Sequence, residues 1–202
     1  MKKLSGAFIC LLLFTVLSSA RIIEVADAGI TDKLKAVIAA RNVPAPGGGC
    51  NMGNEINGLS GTGLEQIPYV TDYTASCSGT LTTAYIHHDS AQTDNIKLCV
   101  YLDDGDNVPD SGDTQVGCTD VITSNDTNGW ASGAISGSIT SGSVYWIMIN
   151  TDGTAWYLKR NSAGADRSYY GDTNYYASPP ANLGTGTFTG EANIYPAYVV
   201  IE

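Results

Sequence analysis

Five aspartates, Asp103, Asp104, Asp106, Asp110 and Asp113, fall within eleven residues of the stretch YLDDGDNVPDSGDT. Carboxylates at that density repel one another unless a cation or water screens them. A hard cation that takes six to eight oxygen ligands suits such a turn, so calcium is the cofactor this run calls for. The fit to a calcium-loop pattern is incomplete. Asp104 and Asp106 open a D-x-D-x-D series, but Val108 takes the third place and no Glu follows at the twelfth. The competing reading is a solvated hairpin loop in which Asp and Gly simply make the turns.

A second group is aromatic. Tyr169, Tyr170, Tyr175 and Tyr176, with Trp156 and Tyr157 nearby, lie among Gly, Asp, Asn and Ser. Flat rings on a loop can stack on the apolar faces of sugars, while Asp172 and Asn174 hydrogen-bond hydroxyls. The same rings could instead close the open end of a β-sandwich or face another copy of the chain, since Tyr is enriched at interfaces. His87 and His88 are adjacent on a strand-like segment, so they point to opposite faces and cannot grip one metal ion together. One is expected exposed and the other partly packed.

Catalytic patterns are missing. G-x-S-x-G does not occur, and Glu is scarce beyond the Cys50 neighbourhood, with Glu65, Glu191 and Glu202. A glycosidase would need two facing carboxylates, which sequence does not reveal. Neither an enzyme nor a nucleic-acid partner is expected. Acidic residues outnumber basic ones 20 to 10, for a net charge of −10, and such a surface repels phosphate backbones and anionic headgroups.

The elements that must carry these groups are strands. Alternating or aromatic-rich runs predict Tyr69–Thr74, Thr80–His87, Asn95–Leu102, Thr114–Thr123, Gly133–Thr140, Ser143–Asn150, Ala155–Asn161 and Asn193–Ile201, separated by Gly-, Asn-, Asp- and Pro-rich turns. Ile96, Leu98, Val100 and Leu102 make one stripe, and Val144, Trp146 and Met148 another. The expected fold class is mainly β, a two-sheet jelly-roll-like β-sandwich over residues 50–202 with an N-terminal helical appendage. Four cysteines fall in the domain, Cys50, Cys77, Cys99 and Cys118. Three connectivities are possible. Nearest-neighbour pairing favours Cys50–Cys77 and Cys99–Cys118, the second stapling the acidic turn between its strands.

Upstream, residues 1–20 resemble an export leader. Lys2-Lys3 precede an apolar run from Ala7 to Leu17 and a small-residue site at Ser18-Ser19-Ala20. The run is shorter than the roughly 20 apolar residues of a membrane span. An extracellular or cell-surface location follows, with membrane contact only through an uncleaved leader. Residues 21–49 place apolar side chains at positions 22, 23, 26, 30, 34, 37 and 38, a stripe on one helix face, and end in Gly47-Gly48-Gly49.

The order of the Tyr-Leu-Asp-Asp turn with Val-Pro-Asp-Ser-Gly, Asn128-Gly129-Trp130, the run from Ile139 to Ile147 and the closing segment from Ala192 to Tyr198 is similar to the secreted jelly-roll modules of galactose-binding-like type. Such modules occur beside bacterial and archaeal extracellular and surface proteins. The resemblance covers roughly residues 60 to 202 and rests on fold markers. It implies a non-catalytic binding or structural role, with a glycan or cell-surface ligand as partner, and no residue-level site. The N-terminus weakly resembles a pilin-like filament subunit that would assemble with copies of itself. Against that, a leader cut after Gly6 would put Leu11 where such subunits carry Glu.

Overall fold

Runs that alternate β-branched or aromatic side chains with small polar ones, interrupted every few residues by Gly, Asn or Asp, pair as strands more readily than they propagate a helix. The computed structural model describes residues 49–202 apart from 57–59, 64–65, 89–93, 124–128, 154–156, 163–167 and 185. The described residues hold fourteen strands. These are β1 (Cys50–Gly53), β2 (Ser60–Gly63), β3 (Tyr69–Thr74), β4 (Gly79–His88), β5 (Ile96–Leu102), β6 (Thr114–Cys118) and β7 (Gly129–Ala134). They continue with β8 (Ser138–Ile139), β9 (Val144–Thr151), β10 (Tyr157–Ser162), β11 (Ser168–Gly171), β12 (Phe188–Glu191), β13 (Asn193–Ile194) and β14 (Ala197–Ile201). The expected leader and amphipathic helix lie outside the described residues.

The strands form two antiparallel sheets, as in a β-sandwich. The larger follows the order β1-β14-β4-β10-β13, with β7 and β8 also pairing β4 and β2 pairing β10. The smaller runs β12-β11-β3-β9-β5-β6. The main core collects Met52, Leu81, Ala84, Ile86, Val199 and Ile201 from the larger sheet and Ile96, Leu98, Val100, Ile147 and Ile149 from the smaller.

Alternation did not say which stripe of each strand faces the other sheet. The stripe Val144, Trp146, Met148 does not face the other sheet. Trp146 and Met148 point outward from the smaller sheet into a second apolar cluster with Val70, Cys99, Tyr101, Tyr175 and Leu183. It is the alternate residues Tyr145, Ile147 and Ile149 that enter the main core. Both faces of β9 are covered, so alternation alone could not say which stripe faces in. On β5 the stripe is right for Ile96, Leu98 and Val100, but Leu102 is 39% exposed. Two predicted strands are also broken. Asn193–Ile201 divides around Pro196, which has no N–H to give a ladder, and Gly133–Thr140 overlaps two separate pieces, β7 and β8.

Both expected disulfides are present, Cys50–Cys77 and Cys99–Cys118. Cys99 and Cys118 are direct register partners on β5 and β6, with Cα atoms 4.0 Å apart. Two such bonds fit an oxidising, extracellular compartment. Non-reducing digestion is expected to return these two pairs. Replacing Cys99 and Cys118 together by Ala should lower the unfolding free energy by about 3 kcal/mol in the chain-entropy picture. An unchanged denaturation midpoint would show that the strand pairing holds β6 without the bond.

Candidate functional site

The acidic turn leaves the end of β5 and returns along β6. Its aspartates are used first to fold their own backbone. Asp103 Oδ1 accepts the indole N–H of Trp146 at 3.2 Å and its Oδ2 accepts Gly105 N at 3.1 Å. Asp104 Oδ1 accepts Asp106 N at 3.2 Å, Asp106 Oδ1 accepts Val108 N at 2.8 Å, and Asp110 Oδ1 accepts Gly112 N at 2.6 Å. Each is a side chain closing a turn on the N–H two residues ahead. Left-handed backbone at Gly105 (φ 108°) and Asn107 (φ 61°) completes the bend, a conformation that Gly and Asn adopt most readily. At Gly112 a Cβ would overlap the Asp104 carboxylate, so only glycine lets that side chain fold back.

Three of the five carboxylates converge. Asp103, Asp104 and Asp106 each present an oxygen within 4.8 Å of the other two. Ligands of one calcium ion at 2.3–2.6 Å lie up to about 5 Å apart, so the trio fits around one ion and would supply half or fewer of its oxygens. Asp110 and Asp113, expected in the same set, do not join it. Asp113 is fully buried, its Oδ1 accepting Asp104 N at 3.2 Å and its Oδ2 accepting Asp110 N at 2.9 Å. Its carboxyl is pushed up to about 6, chiefly by burial, with the Asp110 and Asp104 amides opposing the rise and the charges of Asp103 and Asp110 adding to it. It braces the turn from below.

The aromatic group is split rather than gathered. Tyr175 is buried in the outer cluster of the smaller sheet, and Tyr169 packs against that cluster, edge-on to Trp146 at 5.7 Å between ring centroids. Tyr170 is register partner to Tyr69, on the face opposite Tyr169, and is 39% exposed. Tyr176 is half-buried, with Lys97 Nζ 5.0 Å from its ring centre. Asp172 and Asn174 are exposed, but Asp172 Oδ1 already accepts Thr187 N at 3.0 Å and Asn174 Oδ1 accepts Tyr176 N at 2.8 Å. The Thr187 amide holds the Asp172 carboxyl below its ordinary range. Trp156 lies outside the described residues. Tyr157 starts β10, and its side chain is not among those described. Among the described side chains, Tyr169, Tyr170, Tyr175 and Tyr176 therefore offer no common stacking platform.

The segment from Asp172 to Thr187 instead straps down onto the acidic turn. Pro180 O accepts the hydroxyl of Tyr101 and the side-chain amide of Gln115, both at 3.1 Å. Gln115 N donates to Ala181 O at 2.9 Å, and Leu183 N to Asp113 O at 3.1 Å. A Cβ on Gly184 would collide with the Asp110–Ser111 backbone. Two loops some seventy residues apart in sequence thus form one unit at the β6 edge.

Both histidines are buried, contrary to the expectation that one is exposed. His87 lies on the outer face of the larger sheet against Trp130, with ring centroids 5.1 Å apart. That face also carries rings missing from the sequence-predicted site. Tyr85 and Tyr198 stack at 4.8 Å and 11°, and Trp130 meets Tyr198 at 5.1 Å and 73°. The only signal in the sequence was an aromatic residue alternating with core residues, as in Ala84-Tyr85-Ile86 and Ala197-Tyr198-Val199.

No protein-family model matches the chain, and no curated protein is significantly similar to it. Among the described residues no helix is long and apolar enough to cross a membrane.

Asp113 gives the turn a pH signature. Its folded value of about 6 lies above the ordinary carboxylate value of 3.8, so the folded state binds the extra proton between the two. That contribution is complete below about pH 4 and is lost as pH rises through about 6. With chelator present, Asp113→Asn should flatten this part of the stability profile. It should also cost about 1 kcal/mol overall, because the amide oxygen can accept only one of the two backbone N–H groups. A profile between pH 4 and 6 identical to wild type would exclude Asp113 as its source.

Proposed function

We propose that this chain is a secreted or cell-surface, non-catalytic β-sandwich of jelly-roll (galactose-binding-like) type. It attaches to a glycan or cell-surface ligand, with calcium held in the acidic turn. The single observation carrying the proposal is the convergence of Asp103, Asp104 and Asp106 in a turn braced by Asp113 and by the 172–187 strap. A calcium ion there takes its remaining oxygens from backbone, water or ligand, and vicinal sugar hydroxyls are oxygen ligands of the right hardness. Exposed Asp104 and Asp106 make the ion accessible, while the bond from Trp146 to Asp103 fixes its inner side. The net charge of −10 favours a divalent cation and disfavours nucleic acid.

Two measurements test this. Calcium at a hundred times its dissociation constant should stabilise the protein by about 2.7 kcal/mol, removed by chelator. The Asp104→Asn, Asp106→Asn double variant should melt identically with and without the ion. Calcium should add to retention on cell-wall or glycan preparations, and that increment should be missing in the same variant. Identical wild-type melting with calcium and with chelator would sink the calcium site, and retention unaffected by chelator would separate attachment from it.

A further inference from the structure

The outer face of the larger sheet stands on the side of the molecule opposite the strap. Around β4 the local order is β1, β14, β4, β7. The pairings Gly53 with Tyr198, Tyr198 with Tyr85, and Tyr85 with Ser132 set one continuous face. Asn51, Gly53, Val200, Tyr198, Thr83, Tyr85, His87, Ala134, Ser132 and Trp130 occupy it by register, and none of them is charged at neutral pH with His neutral. Burial, and after it Tyr85 and the carboxylate of Glu55 just past β1, raise the Tyr198 hydroxyl.

We propose that this face is a second binding surface, for a neutral polysaccharide chain, contacted by the rings of Trp130, Tyr198 and Tyr85. The proposal extends the glycan reading to a different part of the fold and does not need the acidic turn. Three features point to this occupant. First, the face combines half-buried aromatic rings with hydroxyl and amide groups. That chemistry suits a sugar, with its apolar C–H faces and its ring of hydroxyls. Second, charge selects a neutral ligand. The positions named on β1, β14, β4 and β7 hold no carboxylate or cation to pair with a charged polymer, and the chain's −10 repels an anionic one. Third, size argues against a protein. The rings lie on three adjacent strands spanning about 10 Å. A stable protein interface needs about 800 Å² per partner. One extended polysaccharide chain needs only such a track.

The rings are also held in place before any ligand arrives. Tyr198 is packed between Tyr85 on one side and Trp130 on another, and buried His87 supports Trp130. Little rotamer freedom is left to lose on binding. Opposite Tyr198 stands Gly53, where a Cβ would collide with the tyrosine's own Cβ. That glycine keeps the end of the track open.

Affinity electrophoresis through gels carrying mixed-linkage glucan, xyloglucan, xylan or galactomannan tests the idea, run throughout with chelator. Wild type should be retarded by at least one polymer. Trp130→Ala should weaken that retardation at least tenfold. Exposed Ser132→Arg, which blocks the face without touching the core, should do the same at an unchanged melting temperature. The Asp104→Asn, Asp106→Asn variant should be retarded like wild type, so loss of the calcium site and loss of this face give different results. Absence of retardation by all four polymers, or retardation that survives both face variants, overturns the proposal. So does concentration-dependent self-association abolished by Ser132→Arg, which would make the face a contact between copies.

Discussion

Everything at the acidic end of the molecule depends on the pairing of β5 with β9. Seven register pairs, from Ile96 opposite Thr151 to Leu102 opposite Tyr145, lock these strands together. One face supplies the main core and the other the outer cluster around Trp146, Tyr101 and Met148. A pair buried on both faces cannot leave its second face to water. Burying apolar surface is worth roughly 25 cal/mol per Å², and exposing a tryptophan, a tyrosine and a methionine together would forfeit a large part of a small domain's margin of about 5–15 kcal/mol. The strap meets that requirement with Tyr175 and Leu183, and in doing so brings its backbone against Asp113 and Gln115.

The acidic turn is therefore shaped from two directions. Inside it, side-chain oxygens close successive turns on backbone N–H groups. From outside, Trp146 fixes Asp103 and the strap fixes Asp113. Asp103 marks the join, since its backbone N–H still pairs with Val144 O at 3.1 Å while its carboxylate already belongs to the turn. The unequal surroundings divide five chemically identical residues into different roles. Asp104 and Asp106 stand in solvent, Asp103 is tied to an indole, half-buried Asp110 closes its own turn on Gly112, and Asp113 is sealed below with a raised affinity for protons.

Much of this was legible in the sequence, and what was not has definite causes. The acidic turn, the central strands and the nearest-neighbour cysteine pairs follow from spacing alone. Alternation did not say which stripe of β9 faces inward, because both Val144-Trp146-Met148 and Tyr145-Ile147-Ile149 are apolar, and a period of two has no preferred sign when both faces are covered. Strands β1, β2, β11 and β12, with sequences CNMG, SGTG, SYYG and FTGE, carry too little alternation to be seen. They exist because a neighbouring strand offers them a ladder. The tyrosines were grouped by nearness along the chain, yet Tyr169 and Tyr170 point to opposite faces by the pleat itself. The aromatic track on the other sheet was scattered over Tyr85, Trp130 and Tyr198, and only the register of β14, β4 and β7 assembles it.

The position of the first disulfide bears on how the domain carries tension. Cys50 is the first residue of β1, and its partner Cys77 lies just before β4. At the other end, Glu202 exchanges two backbone hydrogen bonds with Thr80 at 2.7 and 2.9 Å. A pull between the chain upstream of Cys50 and the chain at Glu202 thus runs through the sulfur bridge, across the few residues to Thr80, and out through the last rungs of β14. The same pull also crosses directly from Cys50 to its register partner Ile201, at the β1–β14 ladder, whereas the strap and the acidic turn stand outside both paths. Because β14 lies between β1 and β4, load applied at Glu202 is shared by two ladders before it reaches either candidate loop.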